Sequence, residues 1–457
     1  MPSRRTFLQS AGAFAALGAF RGRLIAGDDT ASGGYGPLSP VADEATGLEL
    51  LHLPEGFTYR TFGWTGDRMA DGNRTPSNHD GMAVVSEKDG VLTLVRNHEI
   101  DSFGRALAAP EQSYDPKAGG GCTSLRYDTA TGEWLDSWVS LSGTVRNCAG
   151  GPTPWGSWLT CEETVLGQGG TYRGRTYGYE RDHGFVFDVP ADGVSDAKPV
   201  PDMGRFWHEA VAVDPTTGLI YETEDRSTAG FYRFTPNEPG ADGGKPNLAA
   251  GGRLQAMKLV GRKDTRTGVE AGQTFDVSWV DIEDPARPHT PGTEDTLGVY
   301  SQAKEQDAAT FGRLEGCAYD DGNVFVTATI GGDAQKGQVW RYHPASETLS
   351  LVYESPAADV LDMPDNLAVS PRGGLVLCED GYHKPQRVHA LSRDGRLFPL
   401  AANNVVLRGE KNKFKGDFRG DEWAGACFSP DGRTLFVNVQ TPGFTVAING
   451  PWRDGLV

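Results

Sequence analysis

Two short apolar stretches joined by a glycine-containing turn recur along this chain, and each pair opens on a polar residue followed by small ones. The plainest copy starts Arg146-Asn147-Cys148-Ala149-Gly150-Gly151, turns at 152–156 and ends Trp158-Leu159-Thr160-Cys161-Glu162-Glu163. A second starts Asp365-Asn366-Leu367-Ala368-Val369, turns at 370–374 and ends Leu375-Val376-Leu377-Cys378-Glu379-Asp380. Laid over each other without gaps, Cys148 falls on Asp365 and Cys161-Glu162 on Cys378-Glu379. The same register opens at Asp80, Glu209, Glu315 and Gly425, with apolar runs following at 91–95, 219–221, 324–326 and 435–439. Paired strands that repeat every 40–60 residues or so predict propeller blades. The expected fold is all-β, a six-bladed β-propeller, with residues 57–61 closing the ring from the N-terminal side.

In a propeller the first strand of each blade lines the central channel, so equivalent positions converge on the axis. Five of the six copies place a metal-capable side chain there: Asp80, Cys148, Glu209, Glu315 and Asp365. Four carboxylates and a thiol crowded at one end of a channel are costly unless cations neutralise them. A second polar register lies where the second strands end: Glu99, Glu162 with Glu163, Glu224 with Asp225, and Glu379 with Asp380. Thr329 and Gln440 hold the equivalent places in the remaining copies. Carboxylate oxygens suit calcium and other hard cations. A thiolate among them calls for a transition metal, with iron or zinc ahead of copper. Lone strand-end histidines are more often hydrogen-bonded structural groups, so His98 and His208 stay outside the expected ligand set.

The interval from Glu209 to Glu315 is about twice that from Glu315 to Asp365. An insertion therefore lies at about 236–305, rich in Gly, Asp and Pro, with a strand at 277–282 and a short helix near 301–310. It is expected to leave the blade plane as an arm or lid near the channel mouth. Beside Glu315 stands Arg313, whose planar fork matches phosphate oxygens; an ion pair with a ring carboxylate is the other reading. Asn147, next to Cys148, is placed either to donate to a bound oxyanion or as a turn or core amide. No Ser or Thr stands out as a nucleophile, so the attacking oxygen is expected from the metal centre.

Composition narrows the setting. The 457-residue chain carries a formal net charge of −18, which disfavours nucleic acid and anionic membrane as partners. Ser3-Arg4-Arg5-Thr6-Phe7-Leu8-Gln9 matches a twin-arginine export signal, and the apolar run at 11–20 behind it is too short to span a bilayer. The expected organisation is a signal and leader over 1–30 and one propeller domain over 31–457. A monomer is expected, exported to the periplasm or secreted by the twin-arginine machinery, with its cofactor acquired before export. Six cysteines could form three disulfides in an exported protein. Cys161, Cys378, Cys317 and Cys427 instead occupy apolar strand positions, where a thiol acts as a small hydrophobe. Cys122 carries no signal.

The motifs Arg146-Asn147-Cys148-Ala149-Gly150-Gly151, Arg313-Leu314-Glu315-Gly316, Pro364-Asp365-Asn366-Leu367, Cys378-Glu379-Asp380-Gly381 and the run at 425–432 resemble the PhoX alkaline phosphatases over nearly the whole chain. That resemblance implies a six-bladed propeller that hydrolyses phosphate monoesters with iron and calcium. Cys148 and several carboxylates would hold the metals, and Arg313 would bind the substrate phosphate. The arm region is short here by comparison. The alternative is a calcium propeller acting as a lactonase or as a non-catalytic binding protein, which accounts for the carboxylates but not for Cys148 or Arg313.

Overall fold

The computed structural model describes residues 34–172, 174–240, 244–287 and 298–457; the segment 3–9, expected to be an export signal, lies outside them. The fold is all-β with a propeller-like arrangement, and Gly298–Glu305 is the only α-helix among the described residues. No helix among them is long and apolar enough to cross a membrane.

Each repeat seen in the sequence is the first antiparallel pair of a sheet. His79–Lys88, Asn147–Pro152, His208–Val213, Leu314–Asp320, Pro364–Val369 and Trp423–Phe428 are the six first strands, each paired to the strand that follows it in the chain. These strands pack side by side in chain order, and the last packs back on the first. Small residues permit the close approach. A Cβ added at Gly81 would stand 2.5 Å from the Ala149 backbone, and one at Gly316 would stand 2.7 Å from the Asp365 carbonyl.

All six first strands carry a β-bulge at the same place, spanning His79/Met82, Asn147/Gly150, His208/Val211, Leu314/Cys317, Pro364/Leu367 and Ala424/Cys427. A bulge inserts an unpaired residue, bends the strand and re-aims a side chain. It also leaves backbone groups without ladder partners, and burial demands that they be satisfied. Polar side chains from neighbouring strands do this. Asn97 Nδ2 donates to the Ala149 carbonyl (2.7 Å), Thr223 Oγ1 to that of Glu315 (2.6 Å), Thr327 Oγ1 to that of Asp365 (2.5 Å) and Asn438 Nδ2 to that of Asp80 (2.6 Å).

The ring is closed as the sequence suggests. Thr58–Phe62 pairs with Phe444–Asn449 as the outer strand of the last sheet. Trp64, just beyond, is buried and stacks on Phe444 at 4.1 Å.

The insertion differs from the arm or lid expected. Gly252–Leu259 is the fourth strand of the His208–Val213 sheet, and Thr274–Asp281 is a fifth that also pairs with Thr348–Glu354 of the next sheet. The segment therefore staples two sheets into one nine-stranded sheet at the rim. Trp279 explains the preference: Arg233 lies over its ring at 4.4 Å, and its Nε1 donates to Glu347. A strand with that much surface to bury packs on a neighbour instead of projecting into solvent. Among its described residues, the turn before Thr274–Asp281 approaches the channel mouth, where Arg266 Nη1 donates to the Ser227 carbonyl (3.1 Å).

Candidate metal centre

The bulges bring Asp80, Cys148, Glu209, Glu315 and Asp365 together at one end of the channel, all buried. The sixth copy has Gly425 in this position, with φ +63°, and a Cβ there would meet the Asp80 carbonyl at 2.5 Å. Glu422, three residues earlier, supplies the carboxylate instead.

The second register divides in a way the sequence reading did not foresee. Glu162, Glu224 and Glu379 lie outside the ligand-capable groups, which corrects their assignment as metal ligands. Each is paired with a first-strand residue, namely Asn147, His208 and Pro364. Held in the ladder, their side chains point between sheets and are used there. Glu162 accepts from His183 Nδ1 (2.6 Å) and the Gly184 amide (2.7 Å). Glu224 accepts from Tyr232 (2.7 Å), and Glu379 from Arg387 and His389. The next residue in each case, Glu163, Asp225 and Asp380, has left the ladder and turns to the ring, as Glu99 does. Asn147 is also corrected: its amide bonds Thr144 (2.6 Å) and Thr160 (3.0 Å) inside the sheet.

Four clusters result, each with its ligand atoms within 4.8 Å of one another: Cys148 with Glu163 and Glu209; Glu209 with Asp225 and Glu315; Asp80 with Glu99 and Glu422; Asp365 with Asp380 and Glu422. Glu209 is shared by the first two and Glu422 by the last two, so the ring falls into two acidic halves. Two arginines join them. Arg146 reaches Glu99 (2.9 Å) in one half and Glu163 in the other. Arg313 holds Asp225 through Nε and Nη2 (2.8 and 3.1 Å) and Glu315 (2.6 Å) in one half, and approaches Asp380 (3.7 Å) in the other. Both arginines have left-handed backbone, φ +50° and +47°, two residues before a ring position, as do Asn78 and Met363. The left-handed turn is what places Arg313 against the ring.

The ring is electrostatically unbalanced. Burial, then the neighbouring carboxylates, pushes the carboxyls of Asp80, Glu209 and Glu422 well above their ordinary range, and Asp365 up to about 7. Burial also dominates at Glu163 and Glu315, raising both in spite of the arginines that oppose it. The Cys148 thiol is raised too, by burial and by Glu209. Arg313 is held protonated, chiefly by Glu315. Nine carboxyls against two guanidiniums are what a set of bound cations would balance, and the donors fit: oxygen for hard cations, one thiol for a softer one. All six cysteines are free and buried. His98 bonds the Ser77 carbonyl and Thr123, and His208 the Gly204 carbonyl, as structural groups.

Arg146 and Glu422 were missed as site residues. Arg146 did carry a signal, since it precedes Cys148 by two residues as Arg313 precedes Glu315. Glu422 carried none, because it comes from a turn and matches nothing in the repeat.

The family model described as Alkaline phosphatase PhoX matches residues 33–137 and 133–443. Among solved structures, PhoX of Pseudomonas fluorescens in complex with vanadate, a transition state analogue, is similar at TM-score 0.63 and 16% identity, over 90% of this chain and 98% of that one. A gluconolactonase of Xanthomonas campestris is similar at TM-score 0.42 and 12% identity, over 91% and 98%. No curated protein sequence matches. With the family model spanning most of the sequence, the chain belongs to the alkaline phosphatase PhoX family and is a phosphatase.

Proposed function

We propose that the protein is an exported, metal-dependent phosphatase that hydrolyses phosphate monoesters at a multi-metal centre on the axis of a six-bladed propeller. The closed circuit of six first strands supports the blade count. The observation that carries the function is the pair of arginines set over the two acidic halves. A centre built only to hold cations has no need of guanidiniums packed against its carboxylates, which oppose cation binding. A centre that must also hold a dianionic phosphate does.

Cys148, Glu163 and Glu209 would hold the softer ion, iron by family, and the all-carboxylate clusters would hold calcium. Metal ions bound there supply Lewis acidity toward phosphoryl oxygens. With cations held by the carboxylates, Arg313 and Arg146 would be free to pair with an anion between them. Arg313 presents a fork that matches two phosphoryl oxygens. Its contacts strengthen as negative charge builds on those oxygens during ester cleavage. Trp207, with Arg146 5.2 Å from its ring centroid, holds that guanidinium in place from the side. The calcium-propeller alternative leaves Cys148 and both arginines without a task.

The test is hydrolysis of phenyl phosphate, and its inhibition by inorganic phosphate, alongside elemental analysis. Arg313→Ala should lose on the order of 2–4 kcal/mol of transition-state stabilisation, while Arg313→Lys keeps the charge and loses the fork. Unchanged phosphate inhibition in a fully metal-loaded Arg313→Ala protein would remove the clamp.

A further inference from the structure

A third arginine stands at the mouth with no task in the reading above. Arg226 follows Asp225, and its carbonyl accepts from the Arg313 amide (2.8 Å). Its guanidinium lies 4.5 Å from the centroid of Trp207, the ring that also carries Arg146. Two cations against one indole place the guanidinium carbons of Arg226 and Arg146 at most about 10 Å apart.

Arg226 differs from the other two in its partners. Arg146 and Arg313 are each tied to carboxylates in both acidic halves. Arg226 makes no ion pair among the described residues, and its buried Nε has no hydrogen-bond partner there. The two acids before it in the chain are committed elsewhere, Asp225 to Arg313 and Glu224 to Tyr232 and the Gly230 amide. Nearby Arg266 is neutralised by Asp264. A guanidinium is costly to leave unpaired when part of it is buried. One held against an aromatic face beside an anion site presents its remaining N–H donors to a further anion.

We propose that Arg226, backed by Trp207, forms a second anion subsite, which reads a carboxylate or a second phosphate on the leaving group of the ester. The inference rests on the phosphatase reading and deepens it. The preferred substrates are monoesters whose alcohol or phenol is itself anionic, with the second charge set across the Trp207 ring from the reacting phosphate.

The experiment compares KM and kcat/KM of the metal-loaded protein for phenyl phosphate, 4-carbamoylphenyl phosphate, 4-carboxyphenyl phosphate and 1,4-phenylene bisphosphate. The carbamoyl ester matches the carboxylate in shape without its charge. One charge-assisted contact predicts a KM for the carboxylate or bisphosphate ester about tenfold or more below that of the carbamoyl ester. Whichever of the two gains more identifies the anion that the subsite takes. Arg226→Gln should bring this ratio close to one, and Arg226→Lys should retain part of it. Equal KM values across the four esters in the unaltered protein, or a charged-to-neutral ratio that survives Arg226→Gln, would overturn the subsite while leaving the phosphatase standing. Failure to hydrolyse any of the four would overturn the phosphatase reading and the subsite with it.

Discussion

His183 offers the most quantitative test of how the site is braced. Its ring is fully buried between two carboxylates, with Nδ1 2.6 Å from Glu162 and Nε2 3.3 Å from Asp115. Burial alone would lower its pKa, but Glu162 and then Asp115 more than offset that and raise it to about 9. Glu162 also accepts the Val145 amide (2.8 Å), so this clamp fixes the backbone on either side of Arg146 and Glu163. A folded pKa above the ordinary 6.5 means that the folded state holds the proton more tightly than the unfolded one. The contribution is complete below about pH 6.5, falls as pH rises and is gone above about pH 9. At 1.36 kcal/mol per pK unit the shift amounts to about 3 kcal/mol. Urea unfolding of the metal-loaded protein and of His183→Gln, followed by tryptophan fluorescence, should show a stability gap about 3 kcal/mol wider at pH 6 than at pH 10. A gap of the same size at both pH values would mean that His183 is neutral in the folded protein and would refute the clamp as a charged one.

Three further outcomes concern the ring and the strands that support it. Glu422→Gln should lower the metal content of the half built on Asp80, Glu99, Asp365 and Asp380 and leave the Cys148 half loaded. Glu379→Gln should instead lower the unfolding midpoint with metal content retained, because Glu379 serves Arg387, His389 and the Asp362 amide; elemental analysis beside thermal unfolding separates the two. Gly81→Ala forces a Cβ against the Ala149 backbone and should cost at least 1–3 kcal/mol of stability, the usual range for overpacking, with metal lost from the Asp80 cluster. Unchanged unfolding and metal content in Gly81→Ala would show that the first strands do not need this close approach.

The ring was legible because a bulge repeated in every sheet gives it a fixed local register. Asp80, Cys148, Glu209, Glu315 and Asp365 differ in type but share a place in a pattern that sequence records directly. The pairs Glu162–Glu163, Glu224–Asp225 and Glu379–Asp380 were not resolvable in the same way. Which member faces the axis depends on where strand pairing stops, and that is set by neighbouring sheets. His98 shows the rule in the sheet without such a pair: it is the last paired residue, bonded between strands, and Glu99 beyond it turns to the ring. The insertion was misread for a related reason. A strand was expected at 277–282 and lies at Thr274–Asp281, but its partner, Thr348–Glu354, lies far away in the chain, and no local pattern announces a pairing of that kind.

The two arginines temper the charge of this acidic ring. If every carboxyl of the four clusters were ionised, first strands packed this closely would repel one another strongly. Two responses are visible in the structure. Burial raises the carboxyl pKa values, which favours their neutral forms. Arg146 and Arg313 bridge the halves at opposite sides, where a repulsive seam would otherwise open. On the proposed function, bound cations would favour the ionised carboxylates, and a phosphate dianion would compete with those carboxylates for the guanidiniums. On that proposal, the two residues that bridge the halves of the ring are also the ones placed to meet the substrate, from the left-handed backbone they share with Asn78 and Met363.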